Sequence, residues 1–217
     1  MRVFLSLEND KKDGGIEIVF NFCALKAPQR IMCYYQTAMR TLILFTSATG
    51  SAEKYAKDIG AALSGDVFPL KKFKWKTLPD YDLVIYGGWV MGGKIKGVDD
   101  FLSHYDEMEG KDVIIFSTGM VVPSKEGRKT LIDSNILDLY HVRYYQLRGS
   151  FDMSKLGFIQ RSMIKMYFRQ IEEDSEANPG YKALLDYAET PLEYYDQEGV
   201  EKIISVAKKI ESEKEAK

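Results

Sequence analysis

The chain has 217 residues, 45% hydrophobic and 29% charged, with 30 Lys/Arg against 32 Asp/Glu and a formal net charge of −2. That is one sizeable domain with room for an extension, and it excludes a general nucleic-acid binder, which would carry a basic excess. No apolar run approaches bilayer-spanning length, and both cysteines, Cys23 and Cys33, fall within the first 38 residues. The main body therefore has no thiol for a disulfide framework, an iron–sulfur cluster, a thiolate nucleophile or a zinc ribbon.

The first 38 residues read differently from the rest. Ile16–Cys23 has strand character between Gly14-Gly15 and Pro28. A secretory signal does not fit, because Glu8, Asn9, Asp10 and Lys11 interrupt any apolar region almost at once. A lipoprotein signal fails too, since Asn21 and Phe22 precede Cys23. Met39 directly before the apolar run Leu42–Phe45 is a natural chain start, so residues 1–38 are expected to be a dispensable extension and 39–217 the functional domain.

From residue 41 apolar strands alternate with amphipathic helices. The patterns predict strands near 41–45, 66–70, 82–87, 111–117 and 142–147, the last interrupted by Arg143 and Gln146, and helices near 52–63, 97–108 and 126–139. Runs such as Leu42–Phe45 and Val113–Phe116 predict strands buried on both faces, hence a parallel sheet covered by helices on both sides. Further helices are predicted near 154–170, 178–189 and 197–211, with a break at Asn178-Pro179-Gly180.

Three loops carry the chemistry. The first strand runs into Thr46-Ser47-Ala48-Thr49-Gly50-Ser51, and a helix follows. Backbone N–H groups at a helix start, with the helix dipole behind them, form an anion site. The hydroxyls of Ser47, Thr49 and Ser51 can add bonds to phosphate oxygens, while a plain Ser/Thr helix cap is the simpler use of the same residues. The loop has neither the lysine of a P-loop nor the G-x-G-x-x-G of a dinucleotide site, so a phosphomonoester held by neutral donors fits better. After the third strand, Gly87-Gly88-Trp89-Val90-Met91-Gly92-Gly93 sets an aromatic between glycine pairs, where it can stack on a flat ring or simply pack in a turn. After the fourth, Ser117-Thr118-Gly119 could supply polar contacts to a ring edge. Loops at these strand ends converge on one crevice in a sheet of order 2-1-3-4-5.

This arrangement resembles the flavodoxin family, whose phosphate loop usually reads Ser-x-Thr-Gly-Asn-Thr-Glu; Ser47, Thr49, Gly50 and Glu53 match it, while Ser51 and Ala52 depart. The resemblance implies a flavodoxin-like, doubly wound five-stranded α/β fold and FMN as cofactor. The hydroxyl missing at Ala52 removes one neutral hydrogen bond, about 0.5–1.5 kcal/mol, and predicts weaker FMN binding. Leu147–Asp152, Leu156-Gly157-Phe158 and Arg161–Met166 are similar to the insertion of the group that includes quinone-dependent protoporphyrinogen oxidase. That likeness implies an oxidoreductase passing hydride from a porphyrin-type substrate to flavin and electrons to a quinone; a non-enzymatic electron carrier working with a redox partner, or an FMN- or phosphate-sensing module, is the alternative. The 117–125 loop has no aromatic, which leaves one flavin face open unless an insertion residue such as Phe151 covers it.

Charge is partitioned in the C-terminal third. Residues 148–170 carry five Lys/Arg and one acid, and 171–201 carry ten acids and one lysine. There Arg148, Lys155, Arg161, Lys165 and Arg169 interleave with Phe151, Leu156, Phe158, Ile159, Met163, Ile164, Met166, Tyr167 and Phe168, a pattern suited to an interfacial helix or to carboxylate binding, unless the apolar side packs inward and the charges pair with the acidic stretch. The expectation is a cytoplasmic protein, peripheral at a membrane through 148–170. His104 and His141 read as a surface residue and a turn residue, and no catalytic base is assigned.

Overall fold

A computed structural model of the chain describes residues 4–9, 16–21, 39–174 and 184–215. They fall into two units, Met1–Ala38 and Met39–Lys217. In the first, β1 (Phe4–Asn9) pairs antiparallel with β2 (Ile16–Asn21). The strand character at 16–23 anticipated β2, whereas β1 was not anticipated. Cys23, Cys33 and the break at Asn178-Pro179-Gly180 lie outside the described residues.

The second unit is built on β3 (Thr41–Thr46), β4 (Asp66–Pro69), β5 (Leu83–Met91), β7 (Asp112–Gly119) and β8 (Val142–Phe151). They pair in parallel in the order β4-β3-β5-β7-β8, the 2-1-3-4-5 arrangement of a flavodoxin-like fold. Two short antiparallel strands extend the expected five: β6 (Lys94–Ile95) folds back on β5, and β9 (Leu192–Tyr195) pairs with the end of β8. Four residues inside an acidic stretch give β9 too little pattern to read from sequence.

Strand residues alternate between two cores because successive side chains point to opposite faces. Leu42, Leu44, Val84, Tyr86, Val113 and Ile115 face one core. It is closed by α2 (Val98–Leu102), by α3 (Lys125–Ser134) and by an aromatic group around Phe73 and Tyr81. Ile43, Phe45, Leu83, Ile85, Ile114 and Phe116 face the other. There α1 (Ser51–Leu63) presents Tyr55, Ala56 and Ile59, and α5 (Gln197–Glu215) presents Val200, Ile203, Ala207 and Ile210 at helical spacing.

Two predicted helices end early for local reasons. The helix expected over 126–139 stops at Ser134 because buried Asn135 turns its side chain back on the Leu131 and Gly93 carbonyls and accepts from the Ile95 N–H, while Ile136 takes φ 55°. The one expected over 97–108 stops at Leu102, where Ser103 Oγ bonds the Asp100 carbonyl, and resumes as a 3-10 turn from Tyr105 to Met108. The helix expected over 178–189 falls partly outside the described residues, which show a 3-10 turn at Asp186–Ala188.

At the N-terminal end of β7, Asp112 takes Arg143 at 2.8 Å and Lys214 at 3.2 Å. Burial favours its neutral form, but the hydrogen bonds and charges of Arg143 and Lys214 prevail and hold the carboxyl below its ordinary range. The stabilisation is complete above the unfolded carboxylate value of about 3.9 and is lost as pH falls through the lower folded value. All three groups are partly exposed, so the pair is worth less than about 1 kcal/mol. Asp112→Asn should flatten this part of the acid limb of a circular-dichroism unfolding curve; identical acid limbs would refute the assignment.

Candidate functional site

The C-terminal ends of β3, β5 and β7 stand in register, with Thr46 opposite Gly88 and Gly88 opposite Ser117. The three sequence-predicted loops therefore meet at one edge of the sheet, between the strands where the order reverses. Close approaches complete the convergence. A Cβ on Gly149 would lie 3.0 Å from Ser51 Cβ and 3.3 Å from Thr118 Cβ, and one on Gly119 would lie 3.7 Å from Val90 Cβ.

The first loop ends in Gly50, whose φ of 98° is a left-handed value that glycine adopts without strain. Gly50 has no side chain to cap α1, and the amides of Ser51, Ala52 and Glu53 have no partner among the described residues. Three unsatisfied N–H groups at the positive end of a helix dipole form an anion cradle. Ser47 Oγ accepts from the Gly50 N–H and keeps its own hydrogen for a ligand. Ser51 Oγ donates at 2.8 Å and Thr49 Oγ1 at 3.5 Å to the carbonyl of Ser150, so an anion has to draw both hydroxyls away from β8. The Tyr86 hydroxyl donates to the Lys96 carbonyl at 2.6 Å and accepts from Thr46 Oγ1 at 3.0 Å. Burial raises the Tyr86 phenol well above its ordinary value, which keeps it a neutral donor.

In the second loop, Trp89 lies in β5 opposite Thr118 and is half-buried. It belongs to none of the three apolar clusters and has no ring neighbour among the described residues. Gly92 and Gly93 form the two-residue turn between β5 and β6, with φ of 58° and 74°. Val90 packs on the first core and Met91 on the third. In the third loop Ser117 is fully buried and its hydroxyl pairs with the Tyr144 phenol at 2.6 Å, so its side chain serves the core. Burial pushes that phenol up to about 12. Thr118 is buried beside Gly149, and Gly119 stands at the rim.

The insertion covers this edge. Its helix α4 (Phe158–Asp174) turns Ile164, Phe168 and Ile171 inward, with Phe151, Leu156 and Leu184. Ala48, Met91 and Met120, one residue from or beside each loop, pack against that cluster. Phe151 is buried in that cluster, edge-on to Phe168. Two further residues tie the region together without a local signature in sequence. Tyr55 on α1 donates to the Arg148 carbonyl and accepts from the Asp196 N–H. The Arg148 guanidinium donates to the Met120 carbonyl and the Tyr187 hydroxyl and lies 4.7 Å from the Tyr194 ring centre.

An open cleft lies elsewhere on the domain. It has about 950 Å³ along β8, near Arg128, Tyr144, Gln146 and Asp196. A second, of about 460 Å³, adjoins Thr49, with Lys54 and Lys155 in its wall. No group of acidic, histidine or cysteine side chains among the described residues could hold a metal ion. His104 stacks on Trp75 at 3.7 Å and contacts Glu107, in the aromatic group of the first core's periphery, and His141 is exposed.

Sheet order, loop placement and the uncapped start of α1 define a doubly wound α/β domain of the flavodoxin class. The Flavodoxin domain family matches residues 42–178, and the chain belongs to that family. Among solved structures it is similar to a flavodoxin from the domain Archaea, at 15% identity over 50% of this chain and 85% of that one, with a TM-score of 0.38. Two-electron reduced Megasphaera elsdenii flavodoxin aligns at 17% identity over 49% of this chain and 82% of its own, TM-score 0.38. A WrbA-like flavodoxin from Agrobacterium tumefaciens aligns at 12% over 59% and 92%, TM-score 0.39. No curated protein matches the chain.

Proposed function

We propose that the chain is an FMN-binding oxidoreductase of the flavodoxin class. The observation that carries the reading is the pairing of three amides at the start of α1 with Trp89 at the adjacent strand end, the amides without a partner and the indole without a ring neighbour among the described residues. One end suits a phosphomonoester and the other a flat heteroaromatic ring, the two ends of FMN. In its bound state the cofactor supplies hydride and single-electron acceptance. The chain's residues bind and shield it. The Ser51, Ala52 and Glu53 amides and the Ser47, Thr49 and Ser51 hydroxyls would hold the phosphate as neutral donors. Trp89 would stack on the ring, the backbone at Thr118 and Gly119 would meet its edge, and the insertion would limit water in the crevice.

The finer reading is protoporphyrinogen oxidase-like: oxidation of a porphyrin-type substrate with a quinone as acceptor. The basic composition of the insertion supports it, since an exposed cation such as Lys155 suits a substrate bearing carboxylates. The ten acids within 171–201 favour a second reading, an electron carrier docking on a basic redox partner.

The absorbance spectrum of the purified protein tests the shared core of both. A flavin spectrum, released as FMN on denaturation, is expected; a colourless protein that takes up no added FMN refutes both readings. Residues 39–217 alone should give the same spectrum if residues 1–38 are dispensable. Anaerobic bleaching by protoporphyrinogen, reversed by menaquinone, is expected of the enzyme and not of the carrier.

A further inference from the structure

The outer side of α4 is unlike the rest of the surface. Phe158 is 86% exposed, Ile159 73%, Met166 67% and Met163 43%, while Ile164, Phe168 and Ile171 on the opposite side are buried. Helical geometry, at 100° per residue, gathers the four exposed side chains on one side within about 12 Å of helix. The helix is thus apolar on two sides, one against the chain and one without cover among the described residues. Isolated exposed apolar residues need no explanation, but a contiguous group on one helix marks an interaction surface.

Charge identifies the occupant. Lys165 and Arg169 are exposed along the edge of this apolar side and form no ion pair among the described residues. The acids of the helix that are exposed, Glu172 and Glu173, come only in its last turn. The sequence left open whether the basic side chains pair with the acidic stretch after 170; Lys165 and Arg169 make no such pair among the described residues. We propose that the outer side of α4 is a docking surface for an anionic phospholipid membrane. Phe158, Ile159, Met163 and Met166 enter the acyl boundary while Lys165 and Arg169 meet the headgroups. No helix among the described residues is long and apolar enough to cross a membrane, so the contact is peripheral. Because the inner side of the same helix shares one apolar cluster with Phe151 and Leu156, against which Ala48, Met91 and Met120 pack, docking brings the loop end of the sheet to the bilayer.

The proposal goes beyond the flavin reading, and its test needs no flavin. The full chain is sedimented with vesicles of phosphatidylcholine alone and of phosphatidylcholine mixed with phosphatidylglycerol, at low and high salt. Binding only to the mixed vesicles, weakened by salt, is expected. Lys165→Glu/Arg169→Glu should weaken it by at least about 25-fold, taking roughly fivefold per basic residue removed. Ile159→Ser/Met166→Ser should abolish it. All four sites are exposed, and unchanged circular dichroism and melting midpoint confirm folding of both variants. Absence of binding to the mixed vesicles, or equal binding by wild type and both variants, overturns the proposal. So does a dimer, seen by sedimentation velocity without vesicle binding, that Ile159→Ser/Met166→Ser dissolves.

Discussion

Trp89→Ala should weaken FMN binding by about 1–3 kcal/mol, the usual worth of aromatic stacking on a base, or roughly 5- to 150-fold in Kd. The expectation follows from where the indole is and from what it does not touch. Trp89 is fixed by β5, opposite Thr118 on β7, at the strand ends where the order reverses. It is half-buried, yet it packs in none of the three apolar clusters and meets no aromatic ring among the described residues. Its removal should therefore cost the fold little, within the range of a surface substitution. Trp75 is the matched contrast. It stacks on His104 and meets Phe73 edge-on in the first core's periphery, so Trp75→Ala should lower the melting temperature and leave FMN affinity unchanged. Titration of each apoprotein with FMN, followed by protein fluorescence and calorimetry, separates the two. A Trp89→Ala variant with lowered stability and unaltered affinity would assign the indole to packing and remove it from the site.

Much of this could be read from the sequence because strand patterning and turn chemistry are local. The continuous runs Leu42–Phe45 and Val113–Phe116 required strands buried on both faces, and the two cores confirm that demand. Thr49-Gly50-Ser51 marked a strand-to-helix junction suited either to an anion or to a Ser/Thr cap, and the structure gives α1 no side-chain cap, with Gly50 at φ 98°. What stayed hidden depends on partners far along the chain. Gly92-Gly93 make the turn that the sequence reading allowed, but it did not show that a Cβ on Gly88 would meet Ile95 and the Lys96 carbonyl. Ser117 belongs to the right loop, yet its hydroxyl is committed to Tyr144, 27 residues later. The engagement of Thr49 and Ser51 with the Ser150 carbonyl lies about 100 residues away in sequence, and no local pattern announces it. The insertion showed its basic and apolar composition plainly. That one apolar side roofs the loops while the other stays exposed follows only from how α4 docks.

Gly87→Ala should destabilise the fold by about 1–3 kcal/mol, although it adds one methyl group to a strand. A Cβ there would lie 2.1 Å from Phe116 Cζ and 2.6 Å from each adjoining ring carbon. Gly87 and Phe116 are register partners on β5 and β7, and the phenyl ring lies across the space a side chain would fill. The ring cannot swing away cheaply, because Phe116 is fully buried in the cluster that α1 and α5 close. The backbone of β5 has to give instead, and the two residues that follow are Gly88 and Trp89. FMN affinity should therefore fall along with stability, which distinguishes this variant from Trp89→Ala. A double-mutant cycle isolates the cause. Phe116→Ala alone should cost about 3–5 kcal/mol through the cavity it leaves. Combined with Gly87→Ala it should cost less than the sum, by a coupling of about 0.5–3 kcal/mol, because the clash disappears with the ring. Denaturant unfolding of the four proteins measures the coupling. Strict additivity would mean that the ring does not hold Gly87 in place, and that a glycine stands at 87 for some purpose other than packing against Phe116.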